Sequence, residues 1–340
     1  MDPRHDVAQQ YREFATQADD SPTFADWARR IAEDEPVLAW IRTLPRIKQQ
    51  PNLVLAAARW HGVPAPGPYE PLREALLGDD GTIRTTILSR STQTNEAGRL
   101  ATLVPALALV QEAEDDRPLS LLEVGASAGL TLLPDRWGYR WHTTQGDVLL
   151  GDEPRLECVV DGPAPLPTSP VRVAARGGID LSPIDVGDDD AVRWLEYLVW
   201  PEHDDRRRRL RTGIELARTD PPAIAAGDLL TDLPDLVAHA AEHGPVVVQH
   251  SAVIAYLEDV DRAAFDAMIR GLVADGACHW ISNESPRVLP SITATAPTEP
   301  PAWSPFVLGI DGHAVAWTHG HGRTLHWFDP PGPGPVAPTS

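Results

Sequence analysis

The chain has 340 residues, enough for one large α/β domain or two smaller ones, and 42% of them are hydrophobic, so a core can be built. Its 29 Lys and Arg against 49 Asp and Glu leave a formal charge of −20, which argues against non-specific binding to nucleic-acid backbones or anionic membranes. Two cysteines, Cys158 and Cys278, cannot make a disulfide framework or a cysteine-only zinc site. The first residues carry no apolar leader, and the longest apolar run, Leu100 to Val110, is too short to span a bilayer; a cytoplasmic protein is expected.

Residues 1–115 read as a helical domain or cap. Val7, Tyr11, Phe14 and Ala15 recur at helical spacing. Ser21-Pro22 offers a cap and a first-turn proline ahead of Phe24, Trp27, Ala28 and Ile31. Short helices are expected over Val37 to Leu44, Pro51 to Trp60 and Pro71 to Leu77, the last two stopped by Gly62 and Gly78. A longer helix is expected from about Thr92 to Glu112, kinked or broken at Pro105. The charged stretch Glu112 to Pro118 marks the expected boundary.

Residues 116–329 change rhythm. Strands are expected at Leu119 to Val124, within Val171 to Leu181, and at Ala223 to Ala226, Val246 to Gln249 and Ala277 to Ser282. Helices over Ala191 to Leu216 (interrupted near Pro201), Leu233 to Ala241 and Asp261 to Val273 separate most of them. This alternation implies a mostly parallel sheet with helices on both faces. Phe306 to Ile310, Ala314 to Thr318 and Arg323 to Phe328, with the turn signals Asp311-Gly312 and Gly320-His321-Gly322, imply an antiparallel ending. Residues 330–340 are expected to be disordered.

The sharpest local signal is Glu123-Val124-Gly125-Ala126-Ser127-Ala128-Gly129: a strand enters, a small-residue turn follows and a helix is expected to leave, its N-terminus open to an anion. The segment resembles the first motif of class I S-adenosylmethionine (SAM)-dependent methyltransferases, an acidic residue followed by Gly-x-Gly-x-Gly, with Ser127 standing at the middle glycine. The resemblance implies a Rossmann-like sheet and SAM as cofactor. It implies that Gly125, Ser127 and Gly129 cradle the methionine half, and that Glu123 orients its amino group or the loop. Asp180 would hold the ribose hydroxyls, Asp228 would lie near the adenine amine, and His250 and Ser251 would line the mouth beside the transferring methyl.

One spacing departs from the pattern. Asp180 lies far beyond the usual interval of about 20 residues after the turn. Either residues 131–170 are an insertion, with Tyr139 to His142 and Leu156 to Val160 as extra strands, or Tyr139 to Trp141 is the true second strand and Asp147 the following acid. Gly178 to Pro183 reads as a strand end turning into a helix start, which favours Asp180.

Two other readings of the turn stand beside this one. Gly125 to Gly129 also matches Gly-x-Ser-x-Gly, the nucleophile elbow, with Ser127 as nucleophile and Asp228 as orienter; the helical region upstream and the lack of a His-Gly-Gly loop speak against it. The turn could also simply pack a helix on a sheet.

Across roughly residues 5–330 the chain is identified as a member of an uncharacterised bacterial family, domain of unknown function 2332. The stretches that carry the resemblance are Gln93-Thr94-Asn95-Glu96, Glu123 to Leu130, Trp194-Leu195-Glu196, Trp200-Pro201-Glu202-His203, Gly227-Asp228 and His250-Ser251-Ala252-Val253. This resemblance supplies no function, so the methyltransferase reading is fold-level analogy.

Catalytic candidates follow from placement. His250 and Glu284 are expected at the C-terminal ends of parallel strands, where open α/β sheets bind ligands, and His250 could act as a general base. Arg90, in a polar stretch before an apolar helix, could clamp a carboxylate or phosphate, although capping is the plainer account. Trp194 to His203 and the basic run Arg206 to Arg209 read as helix faces and local ion pairs, with Glu202 and His203 open to another role. His313, His319, His321 and His326 lack a recognisable zinc pattern, and no metal is expected. The function expected is methyl transfer to a small molecule; the alternative is a non-catalytic ligand-binding or structural protein on the same scaffold.

Overall fold

The computed structural model describes residues 6–303 and 306–329. The expected disordered tail, 330–340, lies outside the described residues. The chain divides into two units: one comprises residues up to 94 together with 187–211, the other residues 95–186 together with those from 212 onward.

The first unit is helical. It contains α1 (Val7–Gln17), α2 (Pro22–Ile31), α3 (Glu35–Arg42), α4 (Pro51–Trp60), α5 (Tyr69–Leu77) and α6 (Thr82–Ser89). Its core gathers Tyr11, Phe24, Trp27, Ile31, Ile41, Leu53 and Leu55. Asp34 shows how residues distant in sequence lock it. Its carboxylate caps α3 at Val37 and also accepts from the Tyr69 hydroxyl and Arg73 on α5, at 3.0 and 2.6 Å. The helix α2 begins at Pro22 as expected, but Ser21 does not cap it. The Glu202 carboxylate does, accepting from Thr23 N–H at 3.0 Å and from the Ser21 hydroxyl at 2.5 Å.

The second unit opens with a short 3-10 turn, Ala97–Arg99, and α7 (Leu100–Ala113), rather than one helix from Thr92. Pro105 does not break α7. A proline removes the hydrogen bond to the carbonyl four residues earlier. Here that carbonyl, on Ala101, accepts instead from the Trp141 indole N–H at 2.8 Å, so the helix runs on with no orphaned group at this point. Buried residues surround α7 almost completely, as in a helix sunk into a core.

The sheet begins with β1 (Leu119–Val124). The chain then builds β2 (Gly138–Thr143), β3 (Gly146–Leu150) and β4 (Arg155–Asp161) before returning as β5 (Val173–Asp180), the parallel neighbour of β1. Residues 131–170 therefore carry extra strands, and the alternative with Asp147 is overturned: Asp147 lies on β3, bonded to His142. Two helices follow: α8 (Asp189–Leu198), which belongs to the first unit, and α9 (Asp204–Thr219), which begins there and ends in the second. The expected boundary at 115/116 thus differs from the observed division. The physical reason is burial: α7 is apolar nearly all round, whereas α8 packs on α4 through Trp194 and Trp60.

The rest is β6 (Ala223–Ala226), α10 (Leu229–Ala240), β7 (Val246–Ser251), α11 (Asp259–Ala274), β8 (His279–Glu284), the short α12 (Pro290–Thr293), β9 (Phe306–Ile310), β10 (His313–Thr318) and β11 (Thr324–Trp327). Among the described residues, 11 strands form one mixed sheet in the order β3-β2-β4-β11-β10-β9-β8-β7-β1-β5-β6. The run β8-β7-β1-β5-β6 is parallel; β9 is antiparallel to both β8 and β10. The β9–β10 turn is Asp311-Gly312, both with positive φ, which matches the strand twist. The second unit's core clusters Val248, Phe265, Ile269, Trp280 and Trp317. No helix among the described residues is long and apolar enough to cross a membrane.

Candidate functional site

The order of strands reverses between β1 and β7: the chain steps from β1 outward through β5 to β6, then returns to place β7 on the other side. Open α/β sheets hold ligands beyond the C-terminal strand ends at such a reversal. Two backbone outliers flank it. Ser127 and Ala252, following β1 and β7, hold left-handed φ of 50° and 58° without being glycine.

The turn after β1 does not lead into an α-helix. It passes into a 3-10 turn, Leu130–Leu132. Pro134 ahead lacks an N–H and disfavours helical backbone at Leu133, and Leu130, Leu132 and Leu133 are all buried. The expected helix N-terminus is therefore missing here. The N–H groups of the turn are also spent. Gly125 and Ala126 donate to the Ile179 carbonyl at 2.8 and 3.2 Å, and Gly129 to the Ala126 carbonyl at 2.7 Å. Ser127 donates to Asp180 Oδ2 at 2.9 Å and Ala128 to Asn95 Oδ1 at 3.0 Å, while Asn95 Nδ2 donates to the Ser127 hydroxyl at 2.8 Å. The spaces beside the glycines are filled by protein. A Cβ on Gly125 would meet the Val253 methyls at 2.5 Å, and one on Gly129 would meet Pro222 at 2.9 Å. The turn that was expected to cradle an anion is closed on itself.

Asp180 ends β5 and accepts one backbone N–H on each oxygen, from Ser127 and, at 2.8 Å, from Ser182. Each oxygen of a carboxylate has a further lone pair, so Asp180 retains acceptor capacity. Asp228 follows β6 and caps α10, accepting from Leu230 N–H at 2.8 Å. Glu123 is buried. Burial pushes its carboxyl up to about 8, against the pull of the Thr131 hydroxyl and Arg99, and the charge on Asp180 adds to the rise.

His250 and Glu284 sit at the C-terminal ends of β7 and β8 as expected, but both are buried and engaged with each other. Glu123 pairs in register with Gln249, so Gln249 shares its face and His250, one residue on, points to the opposite one. His250 is 1% exposed. It contacts Glu284 Oε1 through Nδ1 at 2.8 Å, and its Nε2 receives the Trp280 indole N–H at 3.0 Å, which makes Nδ1 the protonated nitrogen. Glu284 Oε1 also accepts from Val253 and Ile254 N–H at 2.9 and 3.1 Å, holding the segment after β7. This pair ties the ends of β7 and β8 together and is buried, not open to a ligand as a general base would be.

Arg90 belongs to the first unit. Its guanidinium pairs with Asp190 and lies over the rings of Trp60 and Trp194, at 4.5 and 5.1 Å. That arrangement staples α4, α6 and α8 and replaces the expected anion clamp. Glu202 and His203 are likewise structural, the latter against Asp20 at 3.0 Å. Among the described residues no group of three or more His, Cys, Asp or Glu is placed to hold a metal.

The structure thus brings together Glu123, Gly125, Ser127, Gly129 and Asp180, with Asp228 on the neighbouring strand end. It adds Asn95, Thr131, Gln249 and Arg99. Arg99 is buried and donates to the carbonyls of Ser251 and Gly320, each at 2.8 Å, tying the end of β7 to the β10–β11 turn. The signal for Gln249 was present in the sequence: period-two alternation in Val246 to Ser251 puts Gln249 and Ser251 on one face and His250 on the other.

A model of one protein family spans residues 8–327, almost the whole chain. The chain belongs to that family. It is described as an uncharacterized protein conserved in bacteria (DUF2332). No curated protein matches the sequence.

Proposed function

We propose that the second unit is a Rossmann-like, SAM-binding scaffold that transfers a methyl group to a small molecule. The observation that carries this reading is the order β6-β5-β1-β7-β8, reversing between β1 and β7, with an acid near the C-terminal end of β1 and of its neighbour β5. The fit to SAM is uneven. Asp180 has acceptor capacity for ribose hydroxyls, and Glu123 has it for an ammonium. The turn supplies no N–H for the ligand's carboxylate, so that role of Gly125 to Gly129 is dropped. When bound, SAM supplies an electrophilic methyl. The chain's part is to bind and align the partners, and positioning of this kind accounts for a large share of such rate enhancements. His250 has no part in that step.

Calorimetric titration with SAM and with S-adenosylhomocysteine tests the reading. Micromolar binding is expected, weakened about 10- to 100-fold in Asp180→Ala, the cost of charge-assisted hydrogen bonds to two hydroxyls. A folded wild-type protein that binds neither ligand refutes it. The spent N–H groups of the turn favour a second reading, a scaffold that binds ligand without turnover; binding with no methyl transfer to any acceptor in a broad screen would select it. The hydrolytic reading of Ser127 predicts labelling by a fluorophosphonate that Ser127→Ala abolishes.

A further inference from the structure

Glu123 and Gln249 face each other across the β1–β7 pair, and both reach Thr131. The Thr131 hydroxyl donates to Glu123 Oε1. The Gln249 amide N–H₂ donates to the Thr131 carbonyl at 3.0 Å and to its hydroxyl oxygen at 3.4 Å. The Thr131 carbonyl is an acceptor, so it fixes the Gln249 amide with its nitrogen toward Thr131 and its oxygen away. With Glu123 ionised, every side-chain donor of the trio is then engaged. What remains is acceptor only: Glu123 Oε2 and Gln249 Oε1 are both buried and without a hydrogen-bond partner. Such atoms are costly in a protein interior and are normally matched by a donor.

We infer that Glu123, Gln249 and Thr131 form a subsite for the ammonium group of a small primary amine. With Glu123 ionised an anion is excluded, because the trio then has no donor to offer it and carries a negative charge. A hydroxyl could satisfy one acceptor, but an ammonium brings three N–H donors and the positive charge that suits a carboxylate. The nearby charged groups are Arg99 and Asp180, of opposite sign, and the Arg99 guanidinium is engaged with the carbonyls of Ser251 and Gly320. Glu123 keeps 7% of its surface exposed, two residues before Gly125, near the C-terminal end of β1, the side on which such sheets take ligands. The subsite goes beyond the methyl-transfer reading and does not require it. The same ammonium could come from the amino-acid end of an adenosyl ligand or from a separate amine.

Thermal unfolding at pH 8.5 tests the subsite, with methylammonium chloride as the probe and tetramethylammonium chloride and NaCl at equal ionic strength as controls. Methylammonium is expected to raise the wild-type Tm saturably, by about 2–4 °C at ten times its Kd. Tetramethylammonium, which has the charge and no N–H, should act like NaCl. Glu123→Gln and Gln249→Met should lose the rise; if the latter fails to fold, the near-isosteric Glu123→Gln decides alone. An equal response to all three salts, or a rise that persists in Glu123→Gln, overturns the inference and leaves buried water as the match for the two oxygens. Repeating the titration with saturating S-adenosylhomocysteine separates the sources. A methylammonium effect that vanishes assigns the subsite to the adenosyl ligand's amino group, and one that adds assigns it to a separate amine. If S-adenosylhomocysteine does not bind, the methyl-transfer reading fails while the methylammonium result stands.

Discussion

Glu123 makes the stability of this protein depend on pH in a defined direction. Its carboxyl titrates near 4.5 in an unfolded chain and is raised to about 8 in the folded one, chiefly by burial. Between those values the folded state holds a proton that the unfolded state has released. Stability therefore falls as pH rises through this window, by about 1.4 kcal/mol per pH unit, and levels off above the folded value. At pH 7 the accumulated penalty is about 3 kcal/mol. Glu123→Gln removes the ionisation and keeps an acceptor for Thr131. Denaturant unfolding of both proteins from pH 5 to pH 8.5 measures the effect. The variant should match or modestly exceed wild type at pH 5 and gain on it steadily up to about pH 8. His279, whose pKa is raised by Asp311 against partial burial and with help from Glu114, titrates in both proteins and cancels in the difference. A difference that stays constant across the range, or that shrinks as pH rises, would show that Glu123 is not held protonated and would refute the argument.

Two further outcomes follow from local geometry. Trp141→Phe should cost about 1–3 kcal/mol, because it strands the buried Ala101 carbonyl. In a Pro105→Ala background, where a helical N–H returns to that carbonyl, the same change should cost measurably less; a double-mutant cycle with zero coupling would break the link. Gly125→Ala should destabilise by about 1–3 kcal/mol, since its Cβ would meet the Val253 methyls at 2.5 Å at a φ of +69°. Adding Val253→Ala should recover the steric part and leave the backbone cost, a partition readable from urea unfolding.

Much of this protein was determined by sequence alone. Local hydrophobic periodicity located β1, β6, β7, the three closing strands and most helices of the first unit, because such patterns depend only on which face each residue presents. Turn chemistry did the same for Asp311-Gly312, where two left-handed residues in succession fit a tight hairpin. The spacing between Gly125 and Asp180 raised an inserted segment as one of two readings, and the pairing of β1 with β5 decided between them. Four matters were decided only by tertiary structure, because each turns on which hydrogen-bonding partners the folded chain brings together. Pro105 stays inside α7 because Trp141 takes up the carbonyl it frees. The glycine-rich turn is closed because Asp180 and Asn95 bring oxygens to its N–H groups. His250, at the end of β7, is held in the core by Glu284 and Trp280 instead of opening to a ligand. Glu123 and Gln249 keep two acceptors open because Thr131, from the segment after the turn, engages every donor near them. Periodicity reports which face a residue occupies; whether its hydrogen-bonding capacity is spent or left for a ligand depends on partners that only the folded chain brings within reach.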